Sequence, residues 1–211
     1  MKLYIYTHCP FCIKTRMIFG LKNIAVNLIV LMNNDEITPK KMINKKMVPI
    51  LMREDNRYMS ESLDIIKYVD TLNQTPVIIG KTNPEIHYWL NHVNKYIYHL
   101  LIPHIAIAPF IELSTPEARN YFKIKKEKSY GNFESLTKDF PKFINNINDD
   151  LQQLAVLISK SDSANSQLSL DDFHLFPLLY LLSLVRQIKY PTQVSHYRDD
   201  ISKKSKIPLI F

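Results

Sequence analysis

The sequence predicts a two-part protein, in which an α/β domain is followed by an all-helical domain. Residues 1–72 alternate short apolar runs of strand length with segments of helical periodicity, in the order βαβαββα. Beyond residue 84 no strand-like alternation recurs, and apolar residues repeat at helical spacing. We therefore expect domains at residues 1–72 and 85–211, joined by a linker at residues 73–84.

Three segments at the start of the chain predict a βαβ unit. Apolar runs at residues 2–6 and 26–31 have strand length, and residues 10–22 between them place Ile13 and Met17 on one helical face. A helix-length crossover of this kind joins parallel strands. The two strands should therefore pair in parallel.

The rest of the first domain predicts a helix, a hairpin and a second helix. Thr38 followed by proline is typical of a helix start. Apolar runs at residues 48–52 and 57–59 flank a charged turn, which predicts an antiparallel hairpin. Ser60 is then expected to cap a helix at residues 61–72.

Helical periodicity continues through the second domain. The predicted helices occupy residues 84–110, 115–129, 132–159 and 191–205, with one more that begins at Ser169. Pro103 should bend the first of these, and Pro141 should kink the third or divide it into two. Residues 161–167 are polar and predict a loop.

The helix that begins at Ser169 has a strong start signal. Ser169 and Asp172 have the spacing of a capping box, in which each side chain accepts a hydrogen bond from the other residue's main-chain N–H. The residues that follow, Phe173 and Phe176 among them, are apolar on nearly every face. This helix should therefore form the buried centre of the second domain.

The two cysteines of the chain, Cys9 and Cys12, lie three residues apart at the junction of the first strand and helix. That spacing and context indicate a redox-active pair. Cys9 at the N-cap, before Pro10, would place its sulfur near unbonded main-chain N–H groups, which should lower its pKa. Cys9 is therefore the expected nucleophile, and Cys12, one turn later, the expected resolving thiol.

Other uses of a Cys-x-x-Cys pair are less favoured. If the pair supplied two of the four ligands of a zinc site, two further closely paired Cys or His ligands would be needed, and the seven histidines are scattered. A structural disulfide is not expected at this spacing in a chain long enough to bury a core. No metal is therefore predicted.

Composition and charge limit the cellular compartment and the binding partners expected for this protein. The formal net charge is +7, but acidic residues lie between the basic ones, and Glu127 interrupts the densest basic cluster at residues 123–128. This favours a solvated helix face over a nucleic-acid surface. The chain shows neither a signal peptide nor an apolar run of membrane-spanning length. With both thiols in one reactive motif, we expect a cytoplasmic protein without membrane or nucleic-acid partners.

The strand order and the Cys-x-x-Cys position resemble the thioredoxin fold of glutaredoxins. The sequence Val48-Pro49 stands where those proteins place a cis-proline, and the resemblance implies that the main chain of Val48 pairs with the cysteinyl residue of glutathione. Glu61-Ser62 matches the pair that holds the γ-glutamyl end of glutathione in glutathione transferases. The predicted glutathione-binding residues are therefore Val48, Pro49, Glu61 and Ser62.

The whole chain resembles the bacterial glutaredoxin 2 family, glutaredoxins with a glutathione-transferase-like architecture. The resemblance rests on His8-Cys9-Pro10-Phe11-Cys12, on residues 17–24 and 48–51, and on the stretch around Asp172. Two departures are Phe11, where many relatives have Tyr, and the lack of the Gly-Gly pair of small glutaredoxins. The resemblance implies a monomeric, glutathione-dependent thiol–disulfide oxidoreductase that reduces glutathionylated proteins and protein disulfides.

Three other functions remain open at this level. A conjugating transferase would normally have a Tyr or Ser hydroxyl at the Cys9 position. A binding protein on the same fold would tolerate loss of both thiols. A glutathione-bridged iron–sulfur dimer would be coloured when purified without oxygen.

Overall fold

The structure is a computed structural model that describes residues 1–73, 75–158, 164–165 and 167–210. The chain forms two compact units. The first unit contains Met1–Val77 and Pro109–Lys125, and the second contains Ile78–Ala108 and Lys126–Phe211. The domain boundaries expected from the sequence, 1–72 and 85–211, remain a prediction; the compact units differ from them in grouping Pro109–Lys125 with the N-terminal residues.

The first unit is built on a mixed four-stranded sheet. Its elements are β1 (Lys2–Ile5), α1 (Pro10–Leu21), β2 (Asn27–Val30), α2 (Ile37–Ile43), β3 (Ile50–Met52), β4 (Tyr58–Met59) and α3 (Ser62–Thr71). The strand order is β2-β1-β3-β4. β1 pairs in parallel with β2 and antiparallel with β3, which pairs antiparallel with β4. The predicted βαβ unit and hairpin are confirmed.

Buried aliphatic side chains of two helices and the strands form the core of this unit. α1 and α3 pack against each other. The fully buried side chains that they share with the strands are aliphatic: Leu3, Ile13, Met17, Ile18, Ile50, Leu51, Ile65, Ile66 and Val69. Removing such side chains from water is the main favourable term for folding, about 1.5–3 kcal/mol for each large aliphatic residue.

Two helix starts differ from the predictions. α2 begins at Ile37 because the Asp35 carboxylate accepts hydrogen bonds from the main-chain N–H groups of Ile37 (3.0 Å) and Thr38 (2.9 Å). Thr38 is therefore inside the helix and is not its cap. α3 begins at Ser62 with Glu61 as its N-cap residue, so the prediction that Ser60 caps it is wrong.

The described residues from position 84 onward are mainly helical. The elements are α4 (Pro84–Val93), α5 (Ile97–Ile107), a 3-10 turn (Ile111–Leu113), α6 (Pro116–Tyr130), α7 (Phe133–Lys138), α8 (Phe140–Leu157), α9 (Leu170–Leu182) and α10 (Thr192–Ser205). In this part of the structure, as in the other described residues, no helix is both long and apolar enough to span a membrane. Residues 161–163 and 166, within the predicted loop at 161–167, lie outside the described residues.

The helix predicted at residues 84–110 is in fact two helices, and the break is not at Pro103. α4 ends at Val93 and α5 begins at Ile97, with Pro103 inside α5. Asp150 of α8 fixes both sides of the break, because its main-chain oxygen accepts from Trp89 Nε1 (2.7 Å) and its carboxylate accepts from the Tyr96 hydroxyl (2.6 Å). The sequence left two alternatives at Pro141, and the structure contains separate helices α7 and α8.

The predicted capping box is present at the start of α9. The Ser169 N–H donates to Asp172 Oδ2 (2.8 Å), and the Ser169 hydroxyl accepts from the Asp171 N–H (3.2 Å). Asp172 also accepts from the Tyr197 hydroxyl of α10 (2.9 Å). Eleven of the thirteen α9 residues are buried, which confirms the prediction of a central buried helix.

Replacing the capping hydroxyl should destabilise the protein. For Ser169→Ala we expect the free energy of unfolding to fall by about 1–2 kcal/mol, because helix-start N–H groups lose their acceptor in a buried position. Urea denaturation measures this change. The matched control is Ser129→Ala on the exposed side of α6, which should change stability by less than about 0.5 kcal/mol; equal losses for both would contradict the assignment.

Candidate active site

The two cysteines lie at the start of α1, and both are thiols. Cys9 is the N-cap residue, with an extended backbone conformation (φ −77°, ψ 121°), and Pro10 occupies the first helical turn. The Cys9 side chain is partly exposed, whereas Cys12 is completely buried. The predicted N-cap position of Cys9 is confirmed, and solvent reaches the first cysteine of the pair in preference to the second.

The environment of Cys12 keeps it protonated. Burial raises the pKa of the Cys12 thiol well above its ordinary value, and a hydrogen bond and charge interaction with Cys9 add to this. The charge of Glu112 acts in the same direction, while a hydrogen bond from the main chain of Tyr6 acts against it. A hydrogen bond from the Cys12 thiol to the Cys9 sulfur favours the thiolate on Cys9.

Lys14 provides a positive charge near Cys9. Its side chain is buried, and Nζ lies 5.3 Å from the centre of the Phe11 ring. Burial lowers the pKa of the Lys14 ammonium group to about 8, and the Cys9 side chain acts to raise it. A Cys9 thiolate and a protonated Lys14 therefore stabilise each other in a region of reduced solvent screening.

A fully buried carboxylate holds the turn that leads to Cys9. Glu112 accepts hydrogen bonds from the Thr7 hydroxyl (2.8 Å), from the His8 N–H (2.9 Å) and from His8 Nδ1 (2.6 Å). Burial acts to raise the pKa of Glu112, but the hydrogen bonds and charge of His8 outweigh it, so the net shift is downward. The buried Glu112 carboxylate is therefore ionised and bound to the turn before Cys9.

Aromatic rings enclose the His8 side of this turn. The His8 ring stacks on Tyr6, with ring centres 5.8 Å apart and planes within 9°. Phe122 meets His8 edge-on at 5.3 Å, and Phe110 lies 5.5 Å away. The Tyr6 hydroxyl is buried, and burial followed by the charge of Cys12 raises its pKa. These rings exclude water from the His8–Glu112 pair, which strengthens its electrostatic interaction.

Strand register brings the predicted glutathione-binding residues to one end of the sheet. Tyr4 pairs with Ile50, so continuing the antiparallel β1–β3 register sets Pro49 opposite Ile5. Leu51 pairs with Met59, and the same continuation sets Glu61 beside Pro49. β1 leads at this end into the turn that carries Cys9. Cys9, Val48–Pro49 and Glu61–Ser62 therefore leave the sheet at the same end.

The backbone at these positions has two special conformations. The Val48–Pro49 peptide bond is cis, as the sequence predicts. Glu61 has φ 70° and ψ 112°, a conformation that is rare for a residue with a side chain and costs of order 1–3 kcal/mol. Its main-chain oxygen accepts the first hydrogen bonds of α3 from Asp64 and Ile65. Ser62, the first residue of α3, is buried.

Two residues near Cys9 were not identified from the sequence. Glu112 lies 104 residues from His8 along the chain, and no local pattern marks it as a partner. Lys14 has helical spacing from Pro10, but its burial cannot be inferred from a basic residue type. Among the described residues, no group of three or more His, Cys, Asp or Glu side chains is arranged to hold a metal ion.

Comparisons with known proteins agree along the full chain. Residues 3–76 match the family described as Glutathione S-transferase, N-terminal domain, and residues 85–211 match Glutaredoxin 2, C terminal domain. Glutaredoxin 2 of Escherichia coli strain K12 is 52% identical over 210 residues, which cover 100% of this chain and 98% of that protein.

Two solved structures illustrate the fold. Glutaredoxin 2 from Salmonella typhimurium, in complex with glutathione, has a TM-score of 0.97 at 53% identity, covering 99% of this chain and 96% of that one. Gtt2 from Saccharomyces cerevisiae has a TM-score of 0.62 at 18% identity, covering 100% of this chain and 98% of that one. The second likeness concerns the fold alone.

A thioredoxin-like sheet domain with a dithiol at its first helix, followed by a helical domain, defines a dithiol oxidoreductase of the glutathione-transferase fold. The chain belongs to the glutaredoxin 2 family. It is accordingly a glutathione-dependent thiol oxidoreductase. The fold class, the family and this enzyme class, each predicted from the sequence, are confirmed.

Loss of the Glu112 carboxylate should destabilise the protein. For Glu112→Ala we expect the free energy of unfolding near pH 7 to fall by about 3 kcal/mol, because three donors on Thr7 and His8 lose a buried acceptor. Guanidinium denaturation measures this change. Glu112→Gln should lose less, since its amide oxygen can still accept from the His8 N–H. Glu54→Ala, at an exposed turn position, is the control and should stay within about 0.5 kcal/mol.

The interaction between Glu112 and His8 predicts that the stability of the protein depends on pH. Because the pKa of Glu112 is lowered in the folded protein, its contribution to stability is present above the ordinary glutamate value of 4.5 and is lost as the pH falls through the lower native value. The stability difference between the wild type and Glu112→Gln should therefore shrink below about pH 4.5. A difference that grows on acidification would contradict this account.

Proposed function

We propose that Cys9 is the nucleophile of a glutathione-dependent thiol–disulfide exchange that reduces protein–glutathione mixed disulfides. The observation that supports this most directly is the partly exposed Cys9 at the N-terminus of α1, hydrogen-bonded to a buried Cys12. An accessible thiolate beside a protonated partner is the arrangement required for nucleophilic attack on a disulfide.

The reaction on a glutathionylated protein proceeds in two exchange steps. The Cys9 thiolate attacks the glutathione sulfur, which forms a Cys9–glutathione disulfide and releases the substrate thiolate, to be protonated by solvent. The thiolate of a second glutathione then attacks the glutathione sulfur of this mixed disulfide. Glutathione disulfide leaves and the Cys9 thiolate is restored. Each step breaks one S–S bond and forms one.

Protein disulfides require both cysteines. Attack by Cys9 joins the substrate to the enzyme through a mixed disulfide, and the Cys12 thiolate then attacks Cys9, releasing the reduced substrate and leaving a Cys9–Cys12 disulfide. Two glutathione molecules return this disulfide to the dithiol, with glutathione disulfide as the product. Burial of Cys12 supports a role in this intramolecular step, because an external disulfide would have no access to its sulfur.

Val48, Pro49, Glu61 and Ser62 are proposed to bind glutathione. The main chain of Val48 would pair with the cysteinyl residue, and Ser62 with the α3 N-terminus would hold the γ-glutamyl carboxylate. Glu61 would lie near the γ-glutamyl ammonium group. The strained backbone of Glu61 supports this role, since such conformations are concentrated at ligand-binding positions. Together these contacts would align the glutathione sulfur with Cys9.

The physiological setting is also part of the proposal. Glutathionylated proteins and protein disulfides are the proposed partners, and the cytoplasm, a reducing compartment, is the proposed location. The protein is proposed to act as a monomer. The proposed site residues all lie within Met1–Val77 of the first unit, so the proposed exchange uses no residue from a second copy of the chain.

Transfer of glutathione to Cys9 can be observed directly. The Cys12→Ser variant is mixed with a glutathionylated peptide, and intact mass is followed with time. We expect one glutathione to appear on Cys9 while free peptide accumulates, because the serine cannot resolve the mixed disulfide. The control is Cys9→Ser, which should acquire no glutathione since Cys12 is buried.

The other outcomes have separate meanings. Attachment of the peptide itself to Cys9 would show that the glutathione site is misassigned and that the protein is a general reductase. Absence of any transfer to Cys12→Ser would contradict the nucleophilic role of Cys9.

Lys14 should increase the reactivity of Cys9 near neutral pH. For Lys14→Met in the Cys12→Ser background, we expect the pH midpoint of Cys9 alkylation by iodoacetamide to rise by about half a unit, because a buried positive charge near the thiolate is lost. Lys67→Met, on the exposed side of α3, is the control and should leave the midpoint unchanged. A midpoint that stays constant or falls in Lys14→Met would contradict this role.

A further inference from the structure

Residues 44–49, the connecting segment between α2 and β3, carry part of the proposed glutathione site. The segment is neither helix nor strand, and it contains Val48, whose main chain is proposed to pair with the cysteinyl residue of glutathione. The repeating main-chain hydrogen bonds of a helix or a sheet therefore do not fix its conformation. The position of Val48 depends instead on contacts between the connecting segment and its neighbours.

Lys46 joins the connecting segment to two other parts of the first unit. Its ammonium group donates to the main-chain oxygen of Asn33 (2.6 Å) and to the hydroxyl of Tyr121 in α6 (2.7 Å). The same group lies 3.8 Å from the centre of the Tyr121 ring, which adds a favourable cation–π contact. Among the described residues, no other side chain of the connecting segment hydrogen-bonds to a residue outside it.

Both partners of Lys46 are themselves fixed. Asn33 is buried, and its N–H donates to the main-chain oxygen of Glu112 (2.9 Å). The Tyr121 hydroxyl, which accepts from Lys46, donates to the Glu36 carboxylate. The ammonium group of Lys46 is therefore held between two groups that have little freedom to move.

Asn33 links the connecting segment to the other half of the proposed site. Its main-chain oxygen accepts from Lys46, and its N–H donates to Glu112. The carboxylate of Glu112 accepts from the His8 N–H (2.9 Å), and His8 immediately precedes the proposed nucleophile. Lys46 lies two residues before Val48. A continuous set of hydrogen bonds thus connects the turn that carries the nucleophile with the segment that is proposed to bind glutathione.

The ammonium group of Lys46 is mainly charged at neutral pH. Burial lowers its pKa to about 8, with the charge of Lys125 acting in the same direction and that of Glu36 acting against it. A charged donor forms hydrogen bonds roughly twice as strong as those of a neutral donor. Loss of this group would therefore remove the strongest side-chain contacts of the connecting segment.

We propose that Lys46 is a positioning residue for glutathione, whose hydrogen bonds to Asn33 and Tyr121 hold the connecting segment so that the Val48 main chain meets the glutathione part of a mixed disulfide. This inference rests on the proposed glutathione site and deepens it. Such preorganisation increases affinity, because the segment does not have to be ordered when glutathione binds. It acts only on substrates that use Val48, so Lys46 is a determinant of specificity for glutathione mixed disulfides.

The test compares two disulfides that differ only in the small thiol. In a Cys12→Ser background, the protein is mixed with one peptide in the form of its glutathione or its β-mercaptoethanol mixed disulfide. Intact mass follows the loss of unmodified protein. Glutathione can pair with the Val48 main chain, whereas β-mercaptoethanol has no peptide group with which to do so. The ratio of the two second-order rate constants therefore measures the use of the glutathione site.

For Lys46→Met we expect the rate constant with the glutathione disulfide to fall about fivefold, as it would if the connecting segment were competent about one fifth of the time. The rate constant with the β-mercaptoethanol disulfide should stay unchanged, because Cys9 and its turn keep their own contacts. The matched control is Lys41→Met, at an exposed position of α2. It removes the same charge and should leave the ratio unchanged.

Two further variants test whether Lys46 acts through its partners. Lys46→Arg keeps a cation that can reach Asn33 and stack on Tyr121, and it should retain most of the ratio. Tyr121→Phe keeps the ring but removes the hydroxyl, and we expect it to lower the ratio about twofold. Adding Tyr121→Phe to Lys46→Met should lower the ratio no further, because the two residues form one contact.

The outcomes distinguish this inference from the proposed function. An equal fall with both disulfides in Lys46→Met would indicate a general loss of structure and overturn the role of Lys46, as would a ratio equal to that of the parent. A parent protein that reacts equally fast with both disulfides would overturn the proposed glutathione site, and the role of Lys46 with it. Should Lys46→Met not fold, Tyr121→Phe decides, and an unchanged ratio in that variant overturns the proposal.

Discussion

The turn before Cys9 depends on one buried charge. Glu112 has no solvent exposure, and its carboxylate receives hydrogen bonds from Thr7, the His8 main chain and the His8 ring. A carboxylate of this kind is tolerated in a protein interior only when its hydrogen-bonding capacity is filled. The contact therefore constrains the turn as well as the carboxylate, since the turn before Cys9 must keep its shape for the Glu112 charge to remain hydrogen-bonded.

The same turn gives two chemically identical side chains different properties. Cys9 is partly exposed at the helix N-terminus with the Lys14 charge nearby, and Cys12 is fully buried, which raises the pKa of its thiol. Helix geometry brings their sulfurs together, while burial and fixed charges determine which one ionises. The asymmetry of the pair is therefore a property of the surrounding unit as well as of the Cys-x-x-Cys spacing.

The comparisons place this chemistry on a widely used fold. Gtt2 from Saccharomyces cerevisiae shares the fold at only 18% identity, whereas the two glutaredoxin 2 relatives exceed 50% identity over nearly the full chain. A fold of this kind supports several activities, so the activity has to be argued from the residues at the site. Here those residues are the dithiol and the segments that leave the same end of the sheet.

Local features were predictable from the sequence alone. The strand and helix order, the N-cap position of Cys9 and the Ser169–Asp172 capping box all depend on residues a few positions apart, and the structure confirms them. The sequence signals for periodicity and capping lie within one or two helical turns, which explains why these predictions succeeded. The starts of α2 and α3 were misplaced by one to two residues. The local sequence does not indicate that the Asp35 carboxylate, and not Thr38, accepts the first hydrogen bonds of α2, or that Glu61 adopts a strained backbone conformation before α3.

Only the tertiary structure determined the partners that lie far apart in sequence. Glu112 meets His8 across 104 residues, Asp150 fixes the break between α4 and α5 from α8, and Pro109–Lys125 joins the N-terminal unit. The burial of Lys14 was likewise determined only by the tertiary structure. Such contacts arise from chain folding rather than from local propensity, and a single sequence carries no periodic signal for them. The sequence by itself thus determined the fold class and the placement of Cys9 and Cys12 at the start of the first helix, and the folded chain determined the burial and the nearby charges that distinguish the two thiols.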